Sequence, residues 1–107
     1  MLAISRFRYD EDLAERALSE LESCFRQFSA RPGFLRGTVG RALDDPGIWV
    51  LVTSWEHVGA YRRALSSYDI KMHVVPLLSY AIDEPSAFEV LVGEGATELN
   101  EAHYGRS

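Results

Sequence analysis

The chain has 107 residues, 47% hydrophobic and 25% charged, a balance that describes one globular domain with an ordinary core. Its formal charge of -5, with 11 basic residues spread along the chain, offers no long-range attraction to phosphate backbones or anionic membrane, so neither nucleic acid nor membrane is an expected partner. A single cysteine, Cys24, excludes an intrachain disulfide; the opening MLAISRFRYDED lacks the apolar core of a signal peptide and no span approaches twenty apolar residues, which sets a cytoplasmic expectation.

LAISRFRY predicts a first strand, with Leu2, Ile4, Arg6 and Arg8 on one face and Ala3, Ser5, Phe7 and Tyr9 on the other. Asp10, Glu11 and Asp12 then place negative charge where a helix N-terminus favours it, and Leu13, Ala17, Leu21, Cys24, Phe25 and Phe28 recur at helical spacing. This helix must stop near Ser29 to Arg31, because Pro32 disfavours helical backbone in the residue before it and Gly33 adds a second break. A second strand follows over about Phe34 to Leu43, in which Gly37 and Gly40 point to a bulge.

The turn residues Asp44-Asp45-Pro46-Gly47 lead into a third strand, Ile48 to Trp55, that is apolar on both faces: Ile48, Val50 and Val52 alternate with Trp49, Leu51 and Trp55. Neither side of such a strand is meant to see water. The chain's own helices can cover one face, and at this length too little remains to cover the other, so a second copy of the same sheet is expected to supply it. Val58, Tyr61, Ala64, Leu65 and Tyr68 mark a second helix, and Asp69 to Leu78 reads as a further helical segment limited by Pro76. A fourth strand is expected at about Ser79 to Ile82 and a short fifth at about Ala87 to Val92, separated by Glu84-Pro85. The order is that of an α+β, ferredoxin-like split βαβ domain with an antiparallel sheet, over residues 1–92. Residues 93–107, GEGATELNEAHYGRS, lack useful periodicity and read as a flexible tail.

Three stretches, "RPGFLRGTV", "DDPGIWVLVTSWE" and "AYRRAL", resemble the antibiotic biosynthesis monooxygenase domain of the dimeric α/β barrel proteins, and the resemblance covers about residues 2–92. It implies a homodimer in which two sheets face each other, and a ligand cavity between helices and sheet. It also implies chemistry. In the cofactor-independent monooxygenases of the family, an Asn four residues before the strand-end Trp helps activate a polycyclic aromatic substrate, which is deprotonated and reacts directly with oxygen. Trp55 matches that Trp, whereas the earlier position is Leu51, which has no amide to polarise a substrate oxygen. A haem-degrading branch of the same superfamily carries a His ligand on the segment after the second helix, and of its pattern His73 alone is matched here.

The resulting expectation is a monooxygenase-type protein for a small aromatic or quinol-like ligand, without a cofactor. Trp55 and His73 are its candidate catalytic residues, and Phe7, Trp49, Leu51, Tyr61 and Arg6 its candidate ligand contacts. The alternatives are a haem protein using His73 as the iron ligand, or a dimer that binds a small ligand without turning it over. Trp55 and His73 also have plain structural readings, as a cavity wall and as a hydrogen-bonded histidine near the subunit core. His57 beside Glu56 reads as a polar pair at a helix start, Arg6, Arg8, Arg36 and Arg41 as ion-pair partners at a dimer interface, and Cys24 as a core thiol. No metal-spaced cluster and no phosphate-binding glycine loop is present in the sequence.

Overall fold

A computed structural model describes residues 1–93, and the expected tail lies outside the described residues from position 94 onward. In chain order the elements are β1 (Leu2–Arg8), a single 3-10 turn (Glu11–Leu13), α1 (Ala14–Ser29), β2 (Phe34–Arg41), β3 (Ile48–Trp55), α2 (Val58–Ser66), α3 (Tyr68–His73), α4 (Val75–Leu78) and β4 (Ala87–Phe88). The four strands form one antiparallel sheet in the order β2-β3-β1-β4. The two βαβ units are each split by a strand inserted between their parallel members, which is the ferredoxin-like plan the sequence predicts. None of the described helices is long and apolar enough to cross a membrane.

Alternation along the strands sorts the sheet into two faces. Ala3, Ser5 and Phe7 of β1 and Trp49, Leu51, Thr53 and Trp55 of β3 are buried under the helices. Against them α1 lays Ala17, Leu21, Cys24 and Phe28, spaced to fall on one helical stripe, and α3 with its C-cap contributes Ile70 and Val74, both fully buried. The other face carries Ile4, Val50 and Val52, half-buried and with no helix of the described residues packed on them, as the doubly apolar third strand leads one to expect.

Two expectations change. The fourth strand does not lie at Ser79 to Ile82, where the chain turns after α4, and the fifth shortens to Ala87–Phe88. The backbone from Ile82 to Phe88 nevertheless runs along β1: Ile82 donates its N–H to the Arg6 carbonyl (2.7 Å), Ile4 donates to Ser86 (2.7 Å), and Ala87 and Phe88 pair with Ala3 and Leu2. Pro85 in the middle has no N–H, so a continuous ladder cannot form across it.

The bulge in β2 sits between Phe34 and Arg36, at Leu35, and not at the glycines. Gly37 serves a close approach instead. A Cβ there would stand 2.9 Å from the Phe25 ring of α1 and 3.1 Å from the Val52 carbonyl, so only glycine lets the helix settle onto the sheet at that point. Gly33, with φ of 87°, makes the left-handed turn between α1 and β2, and its carbonyl accepts from the Glu56 N–H at 2.9 Å.

Candidate functional site

Trp55 lies at one end of the layer between helices and sheet. The strand ends here against the N-terminus: Trp55 donates its backbone N–H to the Met1 carbonyl (2.9 Å), and the Met1 amino group donates back to the Trp55 carbonyl (3.1 Å). The indole is 0% exposed and meets Phe28 and Phe34 edge-on, with ring centroids at 5.6 and 5.4 Å, and Tyr61 at 5.6 Å. Its N–H is already used, donated to the Thr53 hydroxyl at 2.8 Å. Desolvation keeps the Tyr61 phenol protonated by raising its pKa. At this end His57 caps α2 by accepting the Ala60 N–H on Nδ1 (3.2 Å), in keeping with its structural reading.

The opposite end of the layer is open. A cleft of about 780 Å³ runs between the first half of α1, the end of β1 and the α3–α4 segment. Phe7, Leu13, Pro76, Leu77 and the ring of Tyr80 give it apolar and aromatic surface, and Tyr9, Arg16, Glu20, Ser23, Cys24 and His73 give it polar groups. Three of these polar groups are ordered by one another. Tyr9 donates its hydroxyl to Glu20 Oε1 at 2.9 Å, and Arg16 donates its Nε to Glu20 Oε2 at 2.9 Å across one turn of α1. Burial, and then the hydrogen bond and charge of Glu20, raise the Tyr9 pKa well above the usual phenol range, so Tyr9 is a fixed neutral donor. Burial and the Glu20 charge push the Cys24 thiol up to about 11, which keeps it protonated and unreactive at neutral pH.

The sequence-predicted site residues therefore separate. Phe7 and His73 meet at the cleft. Trp55 and Tyr61 are packed together in the sealed aromatic cluster. Trp49 and Leu51 are buried in the sheet's helix-facing core; Trp49 packs edge-on against Tyr9 at 6.5 Å and carries the Arg41 guanidinium 5.1 Å over its ring. Arg6 is on the other face of the sheet, held in a fork by Glu84 (2.7 and 3.0 Å), where it cannot reach a ligand between helices and sheet. His73, read as a core histidine in the plain alternative, is instead an exposed residue at the last turn of α3. Sequence reasoning missed Tyr9, Glu20 and Arg16 as a unit. The available signals were the four-residue spacing of Arg16, Glu20 and Cys24 along one helix line, and Tyr9 in register with Phe7. Among the described residues no group of three or more His, Cys, Asp or Glu side chains is placed to hold a metal ion.

Fold and site together define a small ferredoxin-like domain with a ligand-sized cleft at one end of its helix–sheet layer. The chain belongs to the antibiotic biosynthesis monooxygenase family, whose sequence model matches residues 1–74. Similar solved structures include a conserved protein from Methanosarcina mazei Go1, with a TM-score of 0.64 at 17% identity over 80% of this chain and 84% of that one. Rv0793 from Mycobacterium tuberculosis gives 0.62 at 17% identity, covering 80% and 86%. A variant of SnoaB, a cofactor-independent oxygenase from Streptomyces nogalater, gives 0.61 at 24% identity, covering 86% and 96%. No curated protein matches the sequence.

Proposed function

We propose that the protein is a cofactor-independent monooxygenase for a small aromatic or quinol-like substrate, bound in the cleft between α1 and the α3–α4 segment. The observation that carries this reading is the cleft's lining, in which Leu13, Pro76 and Leu77 offer a surface for a flat ring beside the ordered polar groups Tyr9, Glu20 and Arg16 and the imidazole of His73. Membership of a monooxygenase family and likeness to SnoaB support the reaction class.

The reaction needs no external reductant. An activated methylene between aromatic rings loses a proton, the resulting carbanion supplies electrons to oxygen, and the products are a ring carbonyl and water, so that R₂CH₂ and O₂ give R₂C=O and H₂O. His73 is the proposed proton acceptor, an imidazole at the cleft wall with a ring nitrogen that can take a proton from a bound ligand. Leu51 offers no amide, so activation falls to the cleft's own groups. Trp55 is proposed to hold the far end of the layer closed and to make no contact with substrate.

We infer a homodimer formed through the open sheet face, which would cover Ile4, Val50 and Val52. Light scattering should return twice the 12.0 kDa chain mass, and a monomer at micromolar concentration would contradict it. For the activity, an oxygen electrode with anthrones is the test: uptake that disappears in His73→Ala is expected, and no uptake above buffer with any of these substrates would reject the function. A haemin titration with no Soret shift is expected alongside.

A further inference from the structure

We propose that Glu20 is the specificity-determining residue of the cleft, accepting a hydrogen bond from a free phenolic hydroxyl, so that the preferred ligands are hydroxylated aromatics and not their O-methyl ethers. This rests on the cleft being the ligand site. Glu20 stands in the cleft lining with each carboxylate oxygen committed to one donor, Tyr9 on the sheet side and Arg16 on the solvent side. A carboxylate offers about four lone-pair positions, so two of them remain after these bonds.

The two partners do different work. Tyr9 is part-buried and held neutral, which makes it a permanent donor that fixes the carboxylate's orientation from below. Arg16, 67% exposed at the mouth, pairs with the other carboxylate oxygen from the solvent side. Glu20 itself is 34% exposed, enough to reach a ligand and little enough that a ligand must replace the water it displaces. A phenol replaces that water with an O–H donor. An aryl methyl ether has no proton to give and strips the carboxylate of solvent with no compensation. A ligand ring has Pro76 and Leu77 to pack on in the same cleft, so one ligand can satisfy both demands.

The test is calorimetric titration, without oxygen, of 1-naphthol and 1-methoxynaphthalene into the wild-type protein and into Glu20→Leu and Glu20→Gln. The wild type should prefer 1-naphthol by about tenfold or more, the range expected for a hydrogen bond to a charged group. Glu20→Leu should bind the two compounds alike, and Glu20→Gln, close in shape and still an acceptor but uncharged, should retain a reduced preference. Equal binding of both compounds by the wild type overturns the role of Glu20 and leaves the cleft as ligand site. An undiminished preference in the Leu variant, or in the Gln variant if the Leu variant does not fold, overturns it equally. Failure of both compounds to bind the wild type overturns both this role and the cleft reading on which it depends.

Discussion

At the Trp55 end of the helix–sheet layer, Phe28, Phe34, Tyr61 and the indole interlock, and the one polar group of the Trp is satisfied internally by Thr53. At the Tyr9 end, about 20 Å away along strands that rise about 3.3 Å per residue, the same two layers are held apart by a cleft and joined across it by the hydrogen bond from Tyr9 to the Glu20 carboxylate. The contrast separates two demands on one interlayer. Stability comes from the end where the indole is shielded from water and its N–H is paired. Chemistry needs the end where ionisable groups are ordered and still reachable. A large aromatic near the end of an apolar strand is thus better evidence for the first demand than for the second.

Substitutions should separate the ends by size of effect. Trp55→Ala should cost about 3 to 5 kcal/mol in chemical denaturation, as for a core aromatic; a loss below about 1 kcal/mol would mean that this end is not the sealed one. Gly33→Ala should cost roughly 2 to 4 kcal/mol, because a Cβ at φ of 87° is strained and would overlap the Ala60 Cβ beneath the same cluster.

A smaller effect follows from titration. The Cys24 thiol, raised from 9.0 to about 11, and the raised phenols of Tyr9 and Tyr61 stay neutral in the folded chain under conditions that ionise them in the unfolded one. Their contribution is complete below about pH 9 and is lost as pH rises through the folded values, so the melting temperature should fall between pH 9 and 11. Cys24→Ala should flatten part of that fall; an unchanged profile would show that Cys24 is not the group responsible. The smallest effect belongs to the other face. Arg6 holds the Glu84 carboxyl below its ordinary value, so this exposed pair stabilises at neutral pH and fades as pH drops through that lowered value. Glu84→Gln should lower the melting temperature slightly at pH 7 and leave it unchanged near pH 2.

The parts of the fold legible in the sequence are those where period and burial coincide. The stripe from Ala17 to Phe28 and the doubly apolar β3 are unambiguous because a whole element faces one environment. The strand expected at Ser79 to Ile82 is absent and β4 is shorter than expected, because pairing there is set by β1 across the sheet and interrupted by Pro85, neither of which a local pattern records. The bulge at Leu35 carries no glycine to mark it. The cleft was half legible. Phe7 and His73 stood out as an aromatic on a strand and a lone imidazole, but Arg16 and Glu20 look like an ordinary solvated helix pair until the chain brings Tyr9 to the same carboxylate. Trp55 drew attention by its area, and area is what it contributes.

The most direct test of the two-ended account is a ¹⁵N NMR titration with 1-naphthol, following backbone amides and the two indole N–H signals. Amides of Tyr9, Glu20, Cys24 and His73 should shift with a common dissociation constant while the Trp55 indole signal and the amides of Phe28, Phe34 and Tyr61 stay in place. Shifts centred on Trp55, Phe34 and Tyr61, with Glu20 and His73 unmoved, would put the ligand at the sealed end and contradict the account.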